Sequence, residues 1–453
     1  MVTKFFQDRH FFSAFLTIAI PITIQQFFSA LTGMLDVLMV GQLGETAIAS
    51  LGLANQIFFL LTILIFGINS GIAIFTAQYW GKGDIYNLRR VMGIGLTLCS
   101  AVAIIYSIAA IFFPEKVLGF YTNDQEVIDL GSNYLRIVGF SYIPTAISLA
   151  FASVLRSSQN VRLPMLVTIF ALSLKIFLNF LLIFGNLGFP KLGVEGAAIG
   201  TMIARTLEFI FIVYLSYRYR TAAAAKIREL KFSFVFFKKV LWTSLPAAIN
   251  EFFWSMGITT YNAVYAHIGT DAIAAINING TIENMSFVIF IGLANSCAIM
   301  IGNQIGAGRE DLAYEYGKRF MILGISSALI IGVLVILLRP LVLSLYNIQA
   351  ESYRFAYTIL LIYGLTMWIR VSNLIIFIGL LRSGGDTRFA LILEMCSIWL
   401  IGVPSALIGA FVLDWPVFGV YALVLSEEIF KLIFVLPRVK SKKWINNLTA
   451  VVT

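Results

Sequence analysis

The sequence predicts an all-α integral membrane protein with twelve transmembrane helices in two parallel repeats of six. Two observations support this fold class. Of the 453 residues, 59% are hydrophobic and 12% charged, and the mean hydropathy is +0.90. Apolar runs of about 20 residues recur along the chain, and this is the length that crosses a bilayer as a helix. The chain also repeats itself at a fixed spacing, which indicates duplicated halves.

The internal repeat aligns residues 21–84 with residues 246–309 without a gap, at an offset of 225. Pro21 matches Pro246 in this alignment. Duplicated halves of a membrane transporter usually enclose a cleft that opens to either side in turn. Further matches are Gly67 with Gly292 and, after a one-residue slip, Leu155-Arg156-Ser157 with Leu381-Arg382-Ser383.

The apolar runs divide evenly between the two halves. Because each half has an even number of spans, the repeats have the same orientation and are related by an axis along the membrane normal. We expect an N-terminal six-helix bundle at 1–217, a basic linker at 218–239 and a C-terminal six-helix bundle at 240–453. The predicted spans are 14–39, 51–77, 91–113, 133–155, 164–185, 194–217, 241–266, 277–301, 318–338, 355–380, 389–412 and 417–436.

The distribution of lysine and arginine predicts that both termini are cytoplasmic, in a multi-pass protein of the cell membrane. With the N-terminus inside, most of the 32 cations fall in cytoplasmic segments, which tend to retain them during insertion. The net charge of +9 is therefore a topology signal and predicts no nucleic-acid partner. The 218–239 linker, whose cations outnumber its single acid Glu229, is expected to lie on anionic headgroups at the bilayer surface.

Asp36 is the most informative polar residue of the first span. On a helix, Gln25, Ser29, Thr32 and Asp36 fall within about 60° of one another and form a polar stripe on an apolar rod. A charged side chain at bilayer depth raises the free energy of insertion by roughly 2.5–3.5 kcal/mol. Such a residue therefore needs a charge partner or a functional role. Asp36 could take up a proton, bind sodium, or serve as a permanently paired structural carboxylate.

The seventh span carries an acid of its own. Glu251, Ser255, Ile258 and Asn262 share one face, which predicts cation recognition or coupling at Glu251, with a structural hydrogen-bonding role as the alternative. Trp254 lies close to Glu251 along the helix and could hold an organic cation against its ring, although packing is the common role of such an aromatic. Gln25, Thr32, Glu251, Trp254, Ser255 and Asn262 are the candidate substrate-binding residues.

Three polar residues in the fifth and sixth spans are candidate partners of Asp36. Lys175 and Asn179 are four apart and share a helix face, and Thr201 offers a further oxygen ligand. If Lys175 pairs with Asp36, its ammonium occupies the place of a bound metal ion, and coupling to protons becomes more plausible than coupling to sodium. The alternative is that Lys175 snorkels to the outer surface.

Other intramembrane charges fit structural braces. Arg205 and Glu208 are three apart, and the acids Glu427 and Glu428 precede Lys431 by four and three residues. Arg205 and Lys431 match in the repeat, which suggests one brace used twice. Arg370 of the tenth span and Glu394 of the eleventh are a further candidate pair, across two helices.

The sequence does not predict an enzyme or a cofactor. The only histidines are His10 and His267, and no nucleophile, base or metal-ligand motif appears. The Gly-x-Gly segments 81–83 and 306–308 follow helices and lack a Lys-Ser/Thr partner, so they predict turns and not a phosphate cradle. Transport is therefore expected to draw on an ion gradient.

Several motifs resemble those of the multidrug and toxic compound extrusion (MATE) family, and the resemblance covers nearly the whole chain. They are Pro21 through Asp36 with Val40-Gly41 to Gly44, Gly81-Lys82-Gly83-Asp84, Leu155-Arg156-Ser157-Ser158, Gly193-Val194-Glu195-Gly196-Ala197-Ala198, Asn250-Glu251-Phe252 and Arg382-Ser383-Gly384-Gly385-Asp386-Thr387.

The resemblance implies two six-helix bundles forming a V-shaped cleft. It also implies a secondary active antiporter, here a monomer, that expels small cationic or amphipathic compounds by alternating access in exchange for H+ or Na+. Asp36, Asn179 and Thr201 fall on the family's N-terminal ion site, whereas Lys175 stands where many relatives have Asn, a departure that favours protons. Glu251 matches the seventh-helix acid of members that couple in the C-terminal half. The alternative function is a flippase for lipids or lipid-linked saccharides.

Overall fold

The computed structural model describes residues 8–346 and 348–450, and within them it is all helical, without a strand. Twelve main helices follow the order of the predicted spans. Their bounds are α1 Arg9–Gly41, α2 Glu45–Lys82, α3 Ile85–Phe112, α4 Gln125–Ser157, α5 Arg162–Phe184, α6 Gly193–Arg218, α7 Phe234–Ile268, α8 Thr270–Gly306, α9 Glu310–Leu343, α10 Ala350–Arg382, α11 Thr387–Val412 and α12, which comprises Val417–Val424 and Ser426–Lys440.

Ten of these helices are long and apolar enough to cross a membrane, judged over the residues just given. The other two are α7 and α12. Helix α7 has 35 residues but carries Asn250 and Glu251 near its middle, which lowers its hydropathy. Helix α12 is interrupted at Leu425, immediately before the charged segment that contains Glu427 and Glu428. The twelve main helices therefore agree with the twelve predicted spans, and the break in α12 divides it into helices of 8 and 15 residues, each shorter than a full membrane span.

Glycine turns close the repeated helices as the sequence predicts. Gly83, after α2, has a φ of +78°, and Gly308, after α8, has a φ of +74°, a left-handed conformation that glycine adopts without steric cost. Asp84 then caps α3, because its Oδ1 accepts a hydrogen bond from the backbone N–H of Asn87 at 3.0 Å. The two Gly-x-Gly motifs are thus helix-terminating turns.

The chain divides into two compact units whose boundaries differ from the expected ones. One unit comprises Ile20–Ser244, and the other comprises Met1–Ala19 together with Leu245–Thr453. Both boundaries fall inside helices, one residue or so before Pro21 of α1 and Pro246 of α7. Residues 218–239, expected to be a separate linker, belong to the first unit.

Side-chain packing explains these boundaries. At the start of α1, Phe11 is fully buried and meets the rings of Tyr316 and Phe320, with centroids 5.0 and 5.2 Å away. At the start of α7, the ring of Phe236 lies 4.3 Å below the guanidinium of Arg90 on α3. The first turns of α7 therefore belong to the Ile20–Ser244 unit, and the first turns of α1 belong to the other unit. The remaining turns of each helix belong to the opposite unit.

Each unit has its own apolar core, and many of its large apolar side chains are exposed. In the Ile20–Ser244 unit, Leu61 and Ile65 of α2 are buried with Tyr142 of α4. In the other unit, Ala275 of α8 and Leu360 of α10 are buried in the same way. Exposed residues such as Phe112, Leu337 and Leu400 would be unfavourable in water over so large an area, and they suit contact with lipid tails.

The second half of the chain departs from regular α-helix in three places. Residues Ile375–Arg382, Ser397–Gly402 and Ile408–Val412 have wider turns with i→i+5 hydrogen bonds. Such turns shift the side chains that follow them and occur often near functional sites. The first of them ends at Arg382, and the second begins three residues after Glu394.

Candidate functional site

The centre of the first unit is Asp36, whose two carboxylate oxygens are both engaged by α5. Lys175 Nζ lies 2.5 Å from Oδ2, and Asn179 Nδ2 donates a hydrogen bond to Oδ1 at 2.9 Å. Lys175 and Asn179 reach one carboxylate because residues four apart lie on the same face of a helix. The structure therefore confirms the suspected pairing of Lys175 with Asp36, and it excludes the snorkelling alternative for Lys175 in this conformation.

Helix α6 completes the surroundings of this pair. Thr201 is buried near Tyr134 of α4, and no hydrogen bond joins it to Asp36 within the described residues. The neighbouring Gly200 packs so tightly on Asn179 that an added Cβ would lie 2.5 Å from Asn179 Oδ1. That oxygen has no hydrogen-bond partner within the described residues. An open acceptor thus remains next to the carboxylate.

The rest of the predicted polar stripe on α1 forms other contacts. Thr32 donates to the backbone carbonyl of Phe28 at 2.8 Å, and Gln25 Nε2 donates to Thr168 Oγ1 at 3.0 Å. Thr168 in turn donates to Glu208 Oε1 at 2.8 Å, and Arg205 holds the other oxygen of Glu208 at 2.7 Å. The predicted brace between Arg205 and Glu208 is confirmed, and it ties Gln25 to α5 and α6.

In the second unit, Glu251 forms an ion pair with Arg382 at the end of α10. Both side chains are largely buried, with 15% and 7% of their surfaces exposed. Next to them, Asn250 Nδ2 donates to Glu394 Oε2 at 2.7 Å. Arg382 of α10 and Glu394 of α11 thus both contact α7, at Glu251 and Asn250, so that one cation and two acids are grouped there.

A second charged group lies at the break in α12. Lys431 Nζ is 3.2 Å from Glu428 Oε1 and 3.5 Å from Glu427 Oε1. Glu427 also accepts a hydrogen bond from the hydroxyl of Tyr261 at 2.5 Å, and Glu428 accepts one from Asn373 Nδ2 at 2.6 Å. This confirms the predicted pairing of Lys431 with both acids, and it extends the brace to α7 and α10.

The suggested pair between Arg370 and Glu394 is wrong. Arg370 Nη1 lies 2.7 Å from Glu283 of α8, which also accepts a hydrogen bond from the hydroxyl of Tyr421 at 2.6 Å. Glu394 pairs with Asn250 instead. Glu283 of α8 is therefore the carboxylate that pairs with Arg370.

The remaining candidates for substrate contact lie on α7. Trp254 is 43% exposed and Asn262 is also exposed, whereas Ser255 is half-buried. The backbone carbonyl of Ser255 accepts the hydroxyl of Thr259 at 2.9 Å. Trp254, Ser255 and Asn262 are not joined to Glu251 by any hydrogen bond found in residues 8–346 and 348–450.

The pairing of Arg382 with Glu251 was not predicted from the sequence, because Arg382 follows the apolar run of α10, where a cation is expected at the cytoplasmic surface. The repeat held a signal, since Arg382 matches Arg156 whereas Glu251 matches Gln26. Both halves carry the arginine, but only the C-terminal half has an acid at the position of Glu251. This difference indicates an ion pair that is specific to the C-terminal half.

The comparisons with known proteins agree with this architecture. The MatE family model matches residues 21–181 and again residues 246–408, which together make up more than half of the chain. The two matches start 225 residues apart, the offset of the internal repeat.

Several relatives are similar over nearly their whole length. A probable multidrug resistance protein NorM of Thermotoga maritima is 23% identical, over 95% of this chain and 92% of the relative. A NorM protein of Rhizobium meliloti, described in the same words, is 27% identical over 93% and 94%. An uncharacterized transporter of Bacillus subtilis, YisQ, is 26% identical over 94% of both chains.

Solved structures share the fold at lower identity. A MOP superfamily transporter from Pyrococcus furiosus has a TM-score of 0.85 and 19% identity, covering 95% of this chain and 96% of that one. A crystal structure of MATE in complex with MaD3S gives a TM-score of 0.86 over the same shares. With the twelve helices, the duplicated family match and these likenesses in place, the chain belongs to the MatE family of membrane transporters, which are not enzymes.

Proposed function

We propose that this protein is a secondary active antiporter that exports cationic or amphipathic organic compounds in exchange for protons. It acts by alternating access, as a monomer in the cell membrane with both termini in the cytoplasm. The similarity to probable multidrug resistance proteins supports the substrate class. The contact between Lys175 and Asp36 supports the choice of coupling ion.

Sodium is disfavoured at Asp36 by simple electrostatics. A hard cation needs several oxygen ligands around it, and here an ammonium already lies against one oxygen of Asp36 while an amide N–H lies against the other. Two unit charges of like sign at about 4 Å repel each other by about 4 kcal/mol at a protein-like dielectric constant near 20. Sodium could bind only after Lys175 had moved away.

A proton can compete with Lys175 directly. When Asp36 is ionised, the pair with Lys175 carries no net charge and forms a strong, charge-assisted hydrogen bond. When Asp36 takes up a proton, the pair loses its attraction, and the lysine is free to move. The site therefore has two states that differ in protonation and in lysine position, which is what alternating access needs in order to couple to a proton gradient.

The second unit contributes a cation-recognition role through Glu251. Its carboxylate is neutralised by Arg382, so an organic cation that approached Glu251 would have to share or displace that guanidinium. The exposed indole of Trp254, three residues along α7, offers an aromatic face for the apolar part of such a compound. We assign coupling to Asp36 and substrate recognition to the Glu251 region.

Proteoliposomes that carry the purified full-length protein and a lipophilic cationic dye test this proposal. A pH gradient and a sodium gradient are imposed separately on the same preparation. Dye movement driven by the pH gradient alone is the expected result. Movement driven by sodium alone, with no response to pH, would overturn the choice of ion, and no movement under either gradient would overturn antiport.

A further inference from the structure

The segment between α6 and α7, residues 219–233 and here named the strap, is packed against the first unit. Ala223 and Ala225 are buried, and the backbone carbonyl of Ala225 accepts the hydroxyl of Tyr217 at 2.7 Å. The carbonyl of Leu230 approaches α3 so closely that a Cβ added at Gly93 would lie 2.1 Å from its oxygen. The strap is thus a docked element with a defined inner and outer side.

The only acid of the strap points inward. Glu229 accepts the backbone N–H of Lys226 at 2.6 Å and lies 2.9 Å from Nη1 of Arg89, which also donates from Nε to the carbonyl of Ala222. The Lys226 N–H and then the Arg89 guanidinium hold the pKa of the Glu229 carboxyl below its ordinary value. Glu229 is therefore negatively charged at neutral pH, and its contacts with Arg89 and Lys226 hold the strap in place.

The outer side combines exposed cations with exposed apolar side chains. Arg228 and Lys231 of the strap and Lys238 in the first turns of α7 are exposed, and none of them makes an ion pair within the described part of the chain. Among them, Ile227, Phe234 and Val235 are 81%, 77% and 79% exposed. We call the surface formed by these six residues the basic apolar surface.

We propose that the basic apolar surface binds anionic phospholipid headgroups of the cytoplasmic leaflet. It lies between the ends of two membrane helices, on the side that the lysine and arginine bias assigns to the cytoplasm. The cations complement headgroup phosphates, and the apolar side chains fit the boundary between headgroups and acyl chains. The apolar residues favour lipid over a soluble polyanion, which would gain nothing from them. This site is separate from the proposed antiport.

Native mass spectrometry of the full-length protein, titrated with equal amounts of phosphatidylglycerol and phosphatidylcholine, tests the site. The wild-type protein is expected to retain phosphatidylglycerol in excess. The variant Arg228→Gln/Lys231→Gln/Lys238→Gln is expected to lose that excess, by about fivefold for each cation removed. The charge-preserving variant Arg228→Lys/Lys231→Arg/Lys238→Arg is expected to keep it.

A matched variant separates this surface from general positive charge. Arg162→Gln/Lys440→Gln/Lys443→Gln removes three exposed cations from other segments on the same side of the membrane and is expected to keep the preference. An unchanged preference in the first variant, or an equal loss in the matched variant, would overturn the proposal. If the first variant folds poorly, the salt dependence of the wild-type protein provides a second test. Its preference for phosphatidylglycerol is expected to weaken from low to high salt, because salt screens exposed charges. A preference that does not change with salt would overturn the proposal.

Discussion

Lys175 Nζ lies 2.5 Å from Oδ2 of Asp36, although the two residues are 139 positions apart in the chain. Their contact joins α1 to α5 in the interior of the first unit. In the proposed mechanism the ammonium of Lys175 takes the place of a metal ion at Asp36, so the preference for protons over sodium depends on this one side chain.

Replacing Lys175 by glutamine is expected to change the driving ion. The amide cannot neutralise Asp36, and it offers an oxygen ligand, so sodium can bind beside the carboxylate and Asn179. We expect export driven by a pH gradient to fall at least about tenfold, because each 1.4 kcal/mol lost corresponds to a factor of ten, and sodium-driven export to appear. Dye transport in proteoliposomes measures both. Lys191→Gln, an exposed lysine, is the control, and equal behaviour of the two variants would contradict the prediction.

Breaking the pair between Glu251 and Arg382 is expected to destabilise the protein. Glu251→Gln removes the carboxylate that pairs with the largely buried guanidinium of Arg382, and breaking a buried ion pair typically costs about 3–5 kcal/mol. The double variant Glu251→Gln/Arg382→Gln should recover much of that loss. Thermal unfolding in detergent measures the effect. Glu115→Gln, in an exposed pair with Arg136, should cost no more than about 1 kcal/mol, and similar values for Glu115 and Glu251 would refute this assignment.

Lys431 is expected to be the most sensitive residue of α12. Lys431→Met removes the cation that pairs with both Glu427 and Glu428, so we expect a loss of about 3–5 kcal/mol in the free energy of unfolding. Intrinsic tryptophan fluorescence during denaturation reports the change. The variant Glu427→Gln/Lys431→Met should be more stable than Lys431→Met alone. If Glu427→Gln does not restore stability to Lys431→Met, then Glu427, Glu428 and Lys431 do not form one interacting group.

The docking of the strap can be tested at Gly93. Gly93→Ala places a methyl group on the carbonyl of Leu230, an overpacking that costs about 1–3 kcal/mol or releases the strap. We expect faster cleavage by trypsin after Arg228 and Lys231. Gly119→Ala, whose added Cβ meets nothing within 4 Å, is the matched control. Unchanged cleavage of Gly93→Ala would mean that the strap is not held by this contact.

The helices were predictable because a bilayer imposes length and hydropathy on each span. The pairing of Asp36 with Lys175 was also accessible, since each is a lone charge on an apolar helix and must find a partner. The unit boundaries were not accessible, because they depend on Phe11 and Phe236 packing against helices far away in the sequence.

The charged network of the second unit was predicted only in part. Lys431 and its acids are close in sequence, so helix periodicity placed them together. Glu251 and Arg382 are 131 positions apart, and Glu283 and Arg370 are 87 apart. These pairs join α7 with α10 and α8 with α10, and the packing of helices so distant in the chain is not specified by hydropathy or by residue spacing.

The most direct test of the proposed mechanism is the proton flux that accompanies substrate export by Asp36→Asn. Asparagine keeps the size of the side chain and can form hydrogen bonds, but it has no carboxyl group to bind and release a proton. With a pH-sensitive dye inside proteoliposomes, we expect substrate-coupled proton flux to be abolished in Asp36→Asn and retained in Asp129→Asn, an exposed control, while both proteins remain folded. Undiminished flux in folded Asp36→Asn would remove this carboxylate from the coupling mechanism.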